Sequence, residues 1–243
     1  MILKSALKLQ ARTPKRSARL DVLVELWYDS AIESTKCGVF VAYILAALGS
    51  YLLGCSNLAF YISRIKKVDI RTGGSGNLGA SNATALLGWK AGIAVALHDI
   101  GKSALAVILA EMCFPGLPYI GAVAGVASVL GHIFPFYLKF RGGKGFASYF
   151  GMTLALSWKL ALIIAALIFL ATVITDYIVV GTTLTIVTVP VYLGLAQHSL
   201  LLALILFIAT AVILYKHRMN YVRIYKGTEM GLRSVMKGEH RVT

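Results

Sequence analysis

The longest stretch of this chain without a formal charge constrains its fold more than any other feature. It runs from Tyr177 to Tyr215, which is 39 residues, and about 20 apolar residues suffice for one helical crossing of a bilayer. The stretch is therefore long enough for two crossings, with a turn near Ala196-Gln-His-Ser199. Because such runs are far too long for barrel strands, they predict an all-α, polytopic membrane bundle.

Other apolar runs raise the predicted number of membrane segments to seven. They are Cys37 to Ile62, Trp89 to Met112, Tyr119 to Phe140, Phe146 to Trp158 and Leu160 to Thr175. The run from 146 to 158 is short, and it is marginal as a crossing. With 58% hydrophobic and 14% charged residues, the chain is more apolar than an average soluble domain.

The basic residues indicate which ends of the segments face the cytoplasm. A net charge of +14 would suggest nucleic-acid binding in a soluble protein. Here the basic residues lie in short clusters between apolar runs, so we expect a positive-inside topology in a lipid bilayer and no nucleic-acid partner. The clustered loops and the residues from Lys216 onward are then cytoplasmic.

The composition divides the chain into three regions. We expect a basic N-terminal extension over residues 1–36, a membrane domain over 37–230 and a basic C-terminal tail over 231–243. The extension lacks a long apolar core, so it is not an ordinary secretory signal. It is compatible both with an amphipathic helix lying on a membrane surface and with a dispensable segment.

A glycine-rich polar insert follows the first membrane segment. Gly74-Ser-Gly-Asn-Leu-Gly79 matches the dinucleotide pattern G-x-G-x-x-G, but that pattern requires a preceding strand, and an apolar helix is expected here. We therefore expect no nucleotide cofactor. A glycine-rich turn that leads into a helix still offers backbone N–H groups to a phosphate.

A second polar cluster ends in Arg141-Gly-Gly-Lys-Gly145. Lys144 stands among three glycines, so its ammonium and several amides can face one anion. A residue pattern of the Walker A type is excluded, because Leu138 stands where that loop needs a glycine. The alternative is an interfacial loop in which the glycines make the turn and the lysine sets the topology.

The third cluster follows the last apolar run. His217, Asn220 and Arg223 are spaced three apart, which places an imidazole, an amide and a guanidinium on one helix face. A basic juxtamembrane helix that attracts anionic lipid also explains the charges. That alternative has no need for the asparagine or for the Gly-x-Glu229 ending.

Together the three clusters resemble the signature motifs of one enzyme family. They read Asp69-Ile-Arg-x-x-Gly-Ser-Gly-Asn-x-Gly-Ala-x-Asn82, Gly131-His-x-Phe-Pro135 with Phe140-x-Gly-Gly-Lys-Gly145, and His217-Arg-x-Asn-x-x-Arg-x-x-x-Gly-x-Glu229. The family is the bacterial integral-membrane acyl-phosphate:glycerol-3-phosphate acyltransferases, and the resemblance covers about residues 40–230. It implies a seven-helix fold in the bacterial inner membrane with a cytoplasmic active site. It also implies acyl transfer from acyl phosphate to glycerol 3-phosphate, which gives lysophosphatidic acid and phosphate.

The resemblance implies roles for individual residues. Ser75 and Asn77 would line the catalytic site, and Lys144 would bind the glycerol phosphate. His217 and Asn220 would orient the acceptor, and the general base would be this histidine or a substrate phosphate oxygen. Because acyl phosphate is already activated, we expect no cofactor or covalent enzyme intermediate, and no ligand spacing suggests a metal. The implied substrate- and phosphate-binding residues are Gly74, Gly76, Gly79, Ser81, Asn82, Gly142, Gly143, Gly145, Thr182, Arg218, Arg223 and Glu229.

One departure from the family pattern bears on the acceptor. Ala85 stands three residues after Asn82, where the family usually has an arginine that contacts glycerol 3-phosphate. A lost charge-assisted hydrogen bond typically costs ~1.5–3 kcal/mol. Arg71, Lys90 or Arg141 are candidates to replace it, and a divergent paralogue that acylates another acceptor is the alternative.

Three further positions are less well matched or less clearly functional. Thr182 stands where the family usually has a serine near the donor phosphate, and Val179 replaces another usual serine. Asp99 and Lys102 match a family pair inside a membrane segment, for which we favour a structural role. A non-catalytic lipid-binding bundle or a transporter is a third hypothesis, although no inverted repeat of broken helices is apparent.

Overall fold

The computed structural model describes the backbone of residues 18–236 and the side chains of residues 35–234. Packing divides the chain into two units, with the boundary between Ala42 and Tyr43. Every regular element in the described part is helical. The elements are α1 Ala18–Cys55, α2 Leu58–Ile65, α3 Ala80–Leu87, α4 Trp89–Cys113, α5 Ile120–Ile133, a 3₁₀ helix Phe136–Leu138, α6 Phe146–Leu156, α7 Trp158–Thr175, α8 Ile178–Ala196, α9 Leu200–Tyr225 and α10 Leu232–Met236.

Six stretches of the described chain are long and apolar enough to cross a membrane. They are Thr35–Ile65, Trp89–Cys113, Ile120–Leu138, Trp158–Thr175, Ile178–Ala196 and Leu200–Tyr225. The prediction of a polytopic helical membrane bundle is confirmed. The remaining predicted segment, residues 146–158, contains the helix α6, which has only 11 residues. A helix of this length spans about 16 Å at 1.5 Å per residue.

The first membrane segment differs from the expected uninterrupted run. Its helix breaks at Ser56-Asn57, where Asn57 caps α2 by accepting a 2.9 Å hydrogen bond from the N–H of Phe60. Toward the N-terminus, α1 continues through residue 36. The division into an extension and a membrane domain at that residue stays a prediction.

The third segment is also shorter than its apolar run. Its helix α5 ends at Ile133 instead of continuing to Phe140. Pro135 explains the end, because a proline disfavours helical backbone at the preceding residue and has no N–H to donate. The chain then forms a single 3₁₀ turn before it enters the glycine-rich loop.

The largest core cluster joins α4, α5, α6, α7, α8 and α9. Pro190 lies inside α8, and its missing N–H leaves the carbonyl of Ile186 without a helical partner. The hydroxyl of Thr210 donates to that carbonyl at 2.6 Å, and the hydroxyl of Tyr149 does so at 3.2 Å. A backbone group that lipid could not satisfy is thereby paired by two neighbouring helices.

The last helices bring the C-terminal motif to the end of the bundle where the glycine loops lie. Helix α9 continues without a break from its apolar part to Tyr225. The chain then returns to the turn between α7 and α8, where Asp176 accepts from the N–H of Leu232 at 2.8 Å and from the N–H of Arg233 at 2.7 Å. This anchor holds the segment that carries Glu229.

Candidate active site

The loop from Ile70 to Gly79 is shaped by one buried asparagine. The side-chain oxygen of Asn82 accepts a 2.9 Å hydrogen bond from the N–H of Ser75. Its amide nitrogen donates to the carbonyls of Ile70 at 2.9 Å and Gly73 at 3.3 Å. Asn82 is only 3% exposed, and all three of these hydrogen bonds go to the backbone of the loop.

The glycines of this loop are required by its geometry. Gly74 has a φ of +56°, and a Cβ there would lie 2.3 Å from the side-chain oxygen of Asn82. Gly76 has a φ of +63°, a conformation that costs little only for glycine. A Cβ on Gly79 would meet the amide nitrogen of Asn77 at 2.7 Å. The side chain of Asn77 therefore lies against the backbone at the start of α3.

Two polar side chains of this region remain available to a ligand. Ser75 is exposed, and its hydroxyl has no hydrogen-bond partner among residues 35–234. Ser81 is exposed on the first turn of α3, one helical turn before Ala85, which is also exposed. The place of the missing family arginine therefore opens to the same surface as Ser81.

The three candidates to replace that arginine differ in their surroundings. Arg71 donates to both carboxylate oxygens of Asp69, at 3.0 and 2.9 Å, and lies over the ring of Phe60. Hydrogen bonds from Arg71 lower the pKa of Asp69 to about 2. Lys90 lies over the ring of its neighbour Trp89. Arg141 is exposed and makes no ion pair in the described part of the chain.

The second glycine loop folds back onto the end of α5. The N–H of Gly142 donates to the carbonyl of Ile133 at 3.0 Å, and the N–H of Gly143 donates to the carbonyl of His132 at 3.2 Å. A Cβ on either glycine would lie 2.0 Å from an atom of His132. Gly145 then begins α6 with a φ of +94°. The loop can approach α5 this closely only without side chains.

A chain of hydrogen bonds joins this loop to the C-terminal motif. The ammonium of Lys144 donates to the side-chain oxygen of Asn220 at 2.7 Å. The nitrogen of the same amide donates to Glu229 at 2.6 Å, and the guanidinium of Arg223 donates to the second oxygen of Glu229 at 2.6 Å. Two cations, one amide and one carboxylate thus form a continuous array.

The surroundings of Lys144 change the pKa of its ammonium. Burial lowers the pKa of its ammonium, and the positive charges of Arg223 and Lys216 lower it further. The carboxylate of Glu229 acts in the opposite direction. While Lys144 keeps its proton, the array has two positive charges and one negative charge, and an anionic ligand can neutralise the excess.

His217 lies beside the array in one defined tautomer. Its Nδ1 is 2.9 Å from the carbonyl of Ile213. Because a carbonyl only accepts, Nδ1 carries the proton, and Nε2 of the neutral ring keeps a lone pair. His217 is 7% exposed, and it stands one helical turn before Asn220. The ring can therefore accept a proton within the site.

Some of the predicted residues lie apart from the array. Arg218 is exposed, donates to the carbonyl of Tyr215 at 2.9 Å and lies over the ring of that tyrosine. Thr182 is buried on α8. Its neighbour Thr183, which sequence reasoning missed, forms a 2.7 Å hydrogen bond with Tyr221 of α9. Thr183 could not be identified from the sequence, because its contact depends on the packing of α8 against α9, which no local pattern encodes.

The intramembrane residues Asp99 and Lys102 form an ion pair in the structure. Lys102 donates to Asp99 at 2.8 Å, and both side chains are almost fully buried. His132 of the second motif completes this cluster, a contact that sequence reasoning missed. Its signal was a histidine three residues ahead of the proline that ends α5.

The sequence of this chain is similar to those of known acyltransferases. The profile of the glycerol-3-phosphate acyltransferase family matches residues 44–227. Glycerol-3-phosphate acyltransferase 1 from Oceanobacillus iheyensis is 36% identical over 205 residues, which cover 79% of this chain and 96% of the relative. The glycerol-3-phosphate acyltransferase of a Coxiella burnetii strain is 38% identical over 191 residues, which cover 78% of this chain and 97% of the relative.

Solved structures agree with the sequence comparison. The crystal structure of PlsY (YgiH), an integral membrane glycerol 3-phosphate acyltransferase, in its glycerol 3-phosphate form superposes with a TM-score of 0.74 at 29% identity, covering 80% of this chain and 97% of that one. Its lysophosphatidic acid form gives a TM-score of 0.70 at 30% identity, with 78% and 94% covered. The fold, the three motifs and these relatives show that the chain belongs to the glycerol-3-phosphate acyltransferase family.

Proposed function

We propose that this chain transfers a fatty acyl group from acyl phosphate to the 1-hydroxyl of glycerol 3-phosphate. The products are lysophosphatidic acid and inorganic phosphate, and the reaction takes place at the cytoplasmic face of the bacterial inner membrane. The observation that carries the proposal is the array of Lys144, Asn220, Glu229 and Arg223 beside His217. The acceptor and product bound in the two PlsY structures support it.

The acceptor phosphate is assigned to the positive end of the array. Lys144 supplies an ammonium that donates to a neutral amide, and among the side chains of residues 35–234 no carboxylate forms an ion pair with it. Arg223 uses its Nε–H on Glu229, and a guanidinium has four further N–H donors. Both groups suit a phosphate dianion, which forms strong charge-assisted hydrogen bonds.

The donor phosphate is assigned to the first glycine loop. Ser75 offers a free hydroxyl, and the backbone around Gly74 and Gly76 offers N–H groups beside the start of α3. Asn77 and Thr182 complete the proposed lining. In this assignment Asn82 acts by holding the loop in shape and does not contact the ligand.

The chemistry needs positioning and charge stabilisation more than a reactive side chain. The 1-hydroxyl oxygen of glycerol 3-phosphate forms a bond to the acyl carbon, and the bond from that carbon to the phosphate oxygen breaks. The hydroxyl proton passes to Nε2 of His217 or to an oxygen of the departing phosphate. The cations stabilise the negative charge that develops on the carbonyl oxygen and the leaving group.

The direct test supplies purified protein in proteoliposomes with palmitoyl phosphate and radiolabelled glycerol 3-phosphate. We expect lysophosphatidic acid and phosphate in equal amounts, and their loss in the Lys144→Ala variant. Absence of both products from the wild-type protein would contradict the proposal. Entry of labelled glycerol 3-phosphate into the liposomes without acyl transfer would indicate a transporter instead.

Ala85 favours a second candidate within the same reaction class. Because an alanine stands in place of the family arginine, the side chain at position 85 carries no charge for an acceptor phosphate, so a different alcohol or phosphorylated acceptor fits as well. A panel of such acceptors, offered to the wild-type protein and to Ala85→Arg, separates the two. Preference of the wild-type protein for another acceptor, reversed by the arginine, would identify the divergent activity.

A further inference from the structure

A buried polar cluster lies directly behind the second glycine loop. The ammonium of Lys102 donates to Asp99 at 2.8 Å and to the carbonyl of Ser56 at 2.6 Å, and it lies 3.0 Å from Nδ1 of His132. Asp99, Lys102 and His132 are 1%, 5% and 3% exposed. The ammonium, which has three N–H donors, thus has three polar neighbours within hydrogen-bond distance.

The cluster fixes the orientation of the histidine ring. Nδ1 of His132 lies 3.0 Å from the ammonium of Lys102 and 3.3 Å from a carboxylate oxygen of Asp99. The ring is thereby held with Nδ1 toward Lys102 and Asp99 and with its Nε2 edge toward the glycine loop. The buried charges of α4 thus set the position of one ring on α5.

His132 contacts the loop through both its ring and its backbone. A Cβ on Gly143 would lie 2.0 Å from Nε2 of this ring, and the N–H of Gly143 donates to its carbonyl. The N–H of Gly142 donates to the neighbouring carbonyl of Ile133. Lys144 is the next residue along the chain, and its ammonium reaches Asn220. The ring of His132 and the ammonium of Lys144 are thus joined by a short stretch of backbone that packs directly on the ring.

Stability of the bundle is a weak reason for such a cluster. Charges buried within a membrane segment are costly, and apolar side chains of similar volume often stabilise a protein equally well. The same two helices already share a simpler buried contact, the 2.9 Å hydrogen bond between Ser103 and Ser128. The charged cluster differs from that contact by touching the loop.

We propose that His132, held in place by Asp99 and Lys102, is a positioning residue for acceptor binding. Its ring sets the distance of the glycine loop from α5, so that the ammonium of Lys144 meets the acceptor phosphate. This inference rests on the proposed function. It assigns Asp99 and Lys102 a role in the reaction, exercised through His132 and the loop.

The test compares variants that separate the two contacts of the ring. His132→Asn keeps a side-chain oxygen that can accept from Lys102 but leaves a gap beneath Gly143. His132→Phe fills the gap and cannot accept. For both we expect the KM for glycerol 3-phosphate to rise by about 10- to 100-fold, with the KM for acyl phosphate changing less than about 2-fold.

Ser128→Ala is the matched control. It removes a buried hydrogen bond between α4 and α5 that does not touch the loop, so we expect a lower Tm and an unchanged KM for glycerol 3-phosphate. If the His132 variants lower the Tm and leave that KM unchanged, as this control does, the positioning role is contradicted. His132→Asn keeps the test usable if the phenylalanine variant fails to fold.

A double variant tests the contact between the ring and the loop directly. Gly143→Ala forces a Cβ into the ring of His132, so it should raise the KM for glycerol 3-phosphate strongly. The double variant His132→Ala/Gly143→Ala removes the obstacle, and we expect it to have a lower KM than Gly143→Ala alone. Simple additivity of the two effects would overturn the inference.

The proposed function can fail separately from this inference. Stabilisation of the wild-type protein by glycerol 3-phosphate in a thermal melt reports binding without turnover. A wild-type protein that shows neither this stabilisation nor turnover contradicts the proposed function, and the inference falls with it. A wild-type protein that shows both, beside His132 variants with an unaltered KM, contradicts the inference alone.

Discussion

The ammonium of Lys144 donates a 2.7 Å hydrogen bond to the side-chain oxygen of Asn220, which lies 76 residues later in the chain. The nitrogen of the same amide donates to Glu229. The orientation of the amide is therefore fixed by two partners of opposite charge. A primary amide suits this place because it accepts at one atom and donates at the other.

The substitution Asn220→Asp tests that arrangement. We expect it to reduce kcat/KM for glycerol 3-phosphate more than Asn220→Ala does, because a second carboxylate would repel Glu229 and would pair with Lys144 in competition with the substrate phosphate. Steady-state kinetics of the two variants, with the Tm of each, check this order. Equal losses in both variants would show that the amide acts only by its hydrogen bonds.

Removal of the lysine charge should weaken acceptor binding specifically. A charge-assisted hydrogen bond is worth ~1.5–3 kcal/mol, so Lys144→Met should raise the KM for glycerol 3-phosphate by about 10- to 100-fold. Lys139→Met is the matched control, because Lys139 is an exposed residue shortly before the same loop. A similar loss in the control would mean that the general positive charge of the loop matters, and not the contact with Asn220.

The lowered pKa of Lys144 predicts the alkaline limb of the pH profile. Because burial and Arg223 favour the neutral amine, the ammonium loses its proton at a lower pH than a free lysine, whose pKa is about 10.4. As pH rises through this lowered pKa, kcat/KM for glycerol 3-phosphate should fall. In Lys144→Arg the limb should move to higher pH, since a guanidinium keeps its proton. An unchanged limb in that variant would assign it to another group.

Gly74→Ala should destabilise the protein more than Gly116→Ala. Both glycines have positive φ values, but a Cβ on Gly116 would meet nothing within 4 Å, whereas a Cβ on Gly74 would lie 2.3 Å from the oxygen of Asn82. An alanine in left-handed backbone costs about 1–2 kcal/mol, and the alanine at 74 must also displace the amide that holds the loop. Thermal melts of the two variants measure the difference, and equal values of Tm would contradict it.

Ala85→Arg should improve the use of glycerol 3-phosphate. The side chain at this position is exposed, so an arginine can extend without displacing the core, and one new charge-assisted contact would lower the KM by about 10-fold or more. Ala85→Gln has a long polar side chain without the charge and should leave the KM close to that of the wild-type protein. A KM that neither variant changes would place the acceptor away from α3.

The sequence predicts the parts of this molecule that depend on local pattern. The apolar runs locate the membrane helices, and the three motifs identify Lys144 and Asn220 before their contact is known. What it misses depends on the pairing of distant segments. The three hydrogen bonds of Asn82, for example, follow from the path of the loop in space, which no spacing encodes. The end of α5 before Pro135 was readable from the proline, but apolar residues on both sides obscured it.

Pro190 bears on how the site can open. A proline within a membrane helix is a common place for a hinge, because the backbone there lacks one hydrogen bond. In this bundle the free carbonyl is held by Thr210 of α9 and by Tyr149 of α6. A bend of α8 at this point would strain both hydrogen bonds. The carbonyl left free by the proline therefore links α8 to α6 and α9. We therefore expect the motion that admits a lipid donor in the loops, and not at this point of α8.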